Sequence, residues 1–145
     1  MKGENFIMSL IKFNNSLNTI ECIIYSEEIV LEGVARPSLR FRFENDEFDL
    51  PTLSNMFTPE NCKVITIIED DGSEFIYENY TVRYKLALEL ENEKDQEGNY
   101  SSKEFINITM AKKTPLELQY EELAISLEET QLALLEIYEA QGVNL

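Results

Sequence analysis

The chain has 145 residues, 43% of them hydrophobic, with eight Phe and seven Tyr, and 28 acids against 12 bases give a net charge of −16. That length and apolar content suit one folded domain with a real core and exclude an intrinsically disordered chain. The acidity argues against nucleic acid and anionic membrane surfaces as partners, because like charges repel. It leaves two readings open, plain solubility and docking on a basic partner.

The N-terminal stretch "MKGENFIMSLIKF" holds an apolar patch, closely followed by Lys12 and the polar residues Asn14, Asn15 and Asn18. It lacks the unbroken apolar region and small-residue cleavage site of a signal peptide. No segment reaches the ~18 apolar residues of a membrane span. Cys22 and Cys62 are the only cysteines and form no CxxC or Cys/His pattern, so both read as small buried residues in a reducing compartment.

From residue 18 to 112 the pattern has period two, the mark of an antiparallel sheet with one buried and one wet face. In "NTIECIIY", Ile20, Cys22 and Ile24 share a face; in "SLRFRF", Leu39, Phe41 and Phe43 do. Between residues 49 and 57 the pattern breaks. Asp49 suits the N-cap of a short helix, Pro51 its first turn, and Leu50, Leu53, Met56 and Phe57 its packing face. "KVITIIEDDGSEFIY" predicts a hairpin turning at Asp71-Gly72. In "YTVRYKLALEL", strict alternation places Tyr80, Val82, Tyr84, Leu86, Leu88 and Leu90 on the inner face. "ENEKDQEGNYSS" reads as a long mobile loop, and "FINITM" as a last strand with Ile106, Ile108 and Met110 inside.

Residues 114 to 142 read as one helix. Thr114 is the N-cap, Pro115 the first helical residue, Glu117 the partner in a capping box and Gly142 the stop. About 27 residues make a rod of roughly 40 Å. Leu116, Tyr120, Leu123, Leu127, Thr130, Leu134 and Ile137 follow a heptad seam. Leu118, Ile125, Leu132 and Leu135 form a second stripe on roughly the opposite side. A helix lying on its own sheet needs one stripe only. Either both stripes are buried within the monomer, or one of them meets another chain. The preferred reading makes the seam residues Leu116, Tyr120, Leu123, Leu127, Leu134 and Ile137 the interaction site and lays the second stripe on the sheet.

Residues for familiar chemistry are missing. With no histidine there is no Ser-His or Cys-His triad and no usual zinc site. GxGxxG and GxxxxGK[ST] phosphate loops are absent as well. "EDDGSE" lacks calcium-loop spacing and reads as a hairpin turn. Arg36, Arg40 and Arg42 read as pairing with neighbouring acids such as Glu44, with a docking patch as the alternative. No catalytic, cofactor or metal residue is nominated, and the expectation is a non-enzymatic protein.

"FDLPTLSNMFTPENCKVITIIEDDGSEFIYENYTV" (residues 48–82), followed by a polar loop, a last strand and a terminal helix, resembles a group of small tail-module proteins of prophages in Gram-positive bacteria. The likeness spans roughly residues 40–140. It implies a structural component of a phage tail or tail-like particle at the baseplate or tail-fibre end, with no active-site residues to transfer. Partners would be other tail, baseplate or fibre proteins, with a homo-oligomer through the helix left open, and neither nucleic acid nor membrane. The place would be the host cytoplasm during assembly and then the particle. The alternative is an assembly chaperone absent from the mature particle. The expected architecture is α+β: an antiparallel sheet or small barrel over residues 1–112, with a short helix near 50–57, and a long C-terminal helix over 113–145.

Overall fold

The computed structural model describes residues 8–14 and 16–142, and only the backbone of Glu93. Residues 1–7, 15 and 143–145, including the first part of the N-terminal apolar patch, lie outside the described residues. The chain divides into two compact units, Met1–Lys112 and Lys113–Leu145.

The first unit is a seven-stranded sheet. Its strands are β1 (Ser9–Lys12), β2 (Ile20–Leu31), β3 (Val34–Glu44), β4 (Val64–Ile68), β5 (Glu74–Glu78), β6 (Val82–Lys94) and β7 (Tyr100–Ala111), in the order β5-β4-β1-β2-β3-β7-β6. Every pairing is antiparallel. With the short helix α1 (Leu50–Met56) and the long helix α2 (Pro115–Ala140) this is the expected α+β class, built on an open sheet. The strand β1 was not expected. It lies between β2 and β4, pairing with residues 20–22 of β2, while residues 23–31 of β2 pair with β3. One long strand thus joins the two halves of the sheet.

Period-two alternation selects the core. Leu39, Phe41 and Phe43 of β3 and Ile106, Ile108 and Met110 of β7 are buried on one face, beside Ile11, Cys22, Ile65 and Ile67. Helix α1 and the turn after it cover this face. Asp49 accepts a hydrogen bond from the Thr52 amide at 2.8 Å, so the helix starts where its N-cap dictates. Bonds from the Thr52 side chain and amide hold the Asp49 carboxyl below its ordinary value. Leu53 and Phe57 are then delivered to the core. The Phe57 ring meets Phe13, Phe41 and Phe43 with centroids 5.0, 4.9 and 5.9 Å away. Such tilted and edge-on contacts suit the ring quadrupole.

Strand β6 corrects the expected alternation. A β-bulge lies between Arg83 and Lys85, so Val82 and Arg83 are out of phase with the residues from Lys85 onward. Arg83 stands opposite Met110, and Leu86 opposite Ile108. Tyr84 and Leu88 are 46% and 47% exposed, and of Val82, Tyr84, Leu86 and Leu88 it is Leu86 that packs against the core. Arg83 uses the altered phase. It donates to the Ser54 carbonyl at 2.6 Å and the Phe57 carbonyl at 2.8 Å, the otherwise unpaired carbonyls at the end of α1. The bulge therefore exchanges an apolar contact for a clamp on the helix that covers the core.

The turns carry two further outcomes. The β4–β5 hairpin turns where expected, with Gly72 at φ +87° and the Ser73 amide bonded to Asp71 Oδ1. The expected long loop after residue 91 is mostly strand. β6 and β7 pair as far as Lys94 and Tyr100, and only residues 95–99 turn. Asp95 Oδ1 accepts from the amides of Glu97 and Asn99 and closes that turn.

Substitution Phe41→Ala is expected to cost about 3–5 kcal/mol of stability in urea unfolding. Tyr84→Ala is expected to cost less than about 1 kcal/mol, as at an exposed site. Comparable large losses from both would contradict the phase change at the bulge.

Candidate interaction surface

Helix α2 forms for local reasons. Thr114 Oγ1 accepts from the Glu117 amide at 3.2 Å and Glu117 Oε1 from the Thr114 amide at 2.8 Å, a complete capping box with Pro115 in the first turn. Gly142, at φ +75°, follows the last turn, and its amide donates to the Glu139 carbonyl. The helix runs 26 residues, about 39 Å.

Its sides are unusual for a helix in water. None of its residues is buried. Leu116, Tyr120, Leu123, Leu127, Leu134 and Ile137, the expected interaction site, are all between 48% and 65% exposed. The second stripe is also exposed over most of its length. Ile125, Leu132 and Leu135 are 57%, 56% and 42% exposed, and Leu118 is partly covered. Both stripes thus carry exposed apolar side chains.

The helix carries seven glutamates and no lysine or arginine. Glu121 pairs with Lys113 at 2.6 Å, just outside its N-terminus. Thr130 interrupts the seam, but its hydroxyl donates to the Ser126 carbonyl at 2.9 Å. The donor is thereby satisfied within the helix.

On the sheet, the basic cluster is engaged locally. Arg40 bonds Glu27 at 2.8 Å and Asn107 Oδ1 at 3.1 Å, and lies over the Tyr25 ring. Arg42 pairs with Glu91 and stacks on Phe105, 3.6 Å from the ring centroid. Glu44, the partner expected for these arginines, pairs instead with Lys103 at 2.6 Å. Arg36 donates to the Lys112 carbonyl. Arg36 and Arg42 are also buried, although they lie on the face expected to be wet. A cleft of about 250 Å³ on this face is lined by Arg40 and Lys85 together with Glu27 and Glu89, so its charges largely offset one another.

The cysteines offer no nucleophile. Burial pushes the Cys22 thiol far up, with the nearby Glu47 and Glu21 adding to the shift. Burial likewise pushes Cys62 up to about 12, despite the opposing Arg83 charge. Among the described residues no cluster of three or more Cys, Asp or Glu is placed to hold a metal ion, and no helix is long and apolar enough to cross a membrane.

No known family, characterised protein or solved structure matches the chain.

Because both thiols are buried and held protonated, an aromatic disulfide reagent at neutral pH is expected to label neither in the folded protein and both after denaturation. A rapidly reacting thiol in the native protein would contradict this placement.

Proposed function

We propose that this protein is a non-enzymatic structural component that uses α2 to join other protein chains. One observation carries the reading: ten large apolar side chains along a 26-residue helix are each at least 41% exposed. Soluble proteins seldom leave contiguous apolar surface of this extent in water unless a partner covers it. A helix that is apolar on both sides belongs in a packed assembly. The resemblance of residues 48–82 to prophage tail-module proteins supports a phage tail or tail-like particle as that assembly, at the baseplate or tail-fibre end.

A fully buried leucine contributes about 1.5–3 kcal/mol. Three or four along one stripe exceed the lower estimates of association cost, so a stable contact is within reach. The reading is tested by expressing the protein with its particle and measuring its presence in purified particles by mass spectrometry. The wild-type chain is expected in the particle. Leu123→Ser, Leu127→Ser and Leu134→Ser together should leave the sheet unit folded by circular dichroism and remove the protein from the particle. Unchanged incorporation after deletion of residues 114–145 would contradict an assembly role for the helix. A protein that binds tail components in the cell yet is absent from finished particles would be a chaperone rather than a component.

A further inference from the structure

We propose that the seam from Leu116 to Ile137 is covered by a second copy of this chain, an inference that rests on the assembly reading and names the partner. The two apolar stripes of α2 differ in what flanks them, and the flanks decide which stripe can meet its own copy.

The helix carries only negative side-chain charge, so self-contact is favourable only where glutamates stay away from the interface. Beside the seam lie Gln119, Ala124, Ser126, Gln131, Ala133 and Ala140, all uncharged. Glu117 is the one acid at a flanking position, and it is turned back onto the Thr114 amide by the capping box. The second stripe is flanked differently. Glu121 and Glu122 follow Leu118 by three and four residues, Glu128 and Glu129 follow Ile125 likewise, and Glu136 follows Leu132 by four. Residues at those spacings share a helix face. Two copies meeting along the second stripe would therefore bring rows of glutamates together, whereas along the seam they bring alanine, serine and glutamine together.

The seam also tolerates burial. Thr130, its one polar residue, already donates to the Ser126 carbonyl, so covering it orphans no donor. Small flanking residues allow helix axes to approach closely. Six seam side chains about half exposed, with their alanine flanks, amount to roughly 700 Å², near the ~800 Å² per partner of a stable interface.

Sedimentation equilibrium of the full-length protein over a range of concentrations tests this. The wild-type chain is expected to self-associate, and the Leu123→Ser, Leu127→Ser, Leu134→Ser variant to sediment as a monomer. Leu118→Ser, Ile125→Ser and Leu132→Ser together should leave self-association in place. The Q119E/A124E/S126E/Q131E variant keeps good helix formers and sets like charges across the seam. Its association should weaken about tenfold at low salt and recover at high salt. A wild-type monomer throughout, or a glutamate variant that associates like wild type at low salt, overturns self-pairing. Seam-dependent particle incorporation of a chain that is monomeric alone would overturn self-pairing and leave the assembly reading standing.

Discussion

Apolar side chains have to be withdrawn from water, and the two units of this chain meet that constraint in different ways. The sheet meets it internally. Its inner face is closed by α1 and by Phe57, whose ring touches aromatic residues from β3 and from the chain after β1. Helix α2 buries none of its residues, although its leucines and isoleucines are as apolar as those of the core. Long helices in proteins owe most of their stability to packing. The functional reading follows from the apolar side chains that α2 carries on its surface.

Polar groups hold the sheet in its register. Arg83 binds the end of α1, and the β6 bulge is what brings it there. On the opposite face Arg40 and Arg42 reach between strands to Glu27 and Glu91, each lying over an aromatic ring. Arg42 is almost fully enclosed, so its carboxylate partner offsets a charge that would be costly alone. These arginines are occupied inside the fold, in contrast to the exposed apolar side chains of α2.

Much of this was legible in the residues, for local reasons. Asp49 and Thr114 announce their helices because capping depends on a side chain two or three positions from the amide it accepts from. Leu39, Phe41, Phe43, Ile106, Ile108 and Met110 announce the core because β3 and β7 keep an unbroken two-residue period. The period misled in β6, since nothing in "YTVRYKLALEL" marks the residue at which the bulge resets the phase. Residues 92–94 and 100–102 read as loop because the stretch is charged and polar, and that end of the β6–β7 hairpin extends beyond its pairing with β3. The β2–β3 turn passed unread because Glu32, before Gly33, adopts a positive φ that its residue type does not suggest. For α2, the heptad spacing of the apolar residues is written in the sequence itself, as are the cap and the stop of the helix.

The central claim is that another chain covers α2, and amide hydrogen exchange across residues 115–140 reads it most directly. A helix stabilised by a partner opens less often as the partner becomes more abundant. The account predicts that protection around Leu123–Leu134 rises with protein concentration, while protection of β3 and β7 stays constant. Exchange in α2 that is independent of concentration, and unchanged when the proposed tail partners are added, would contradict it.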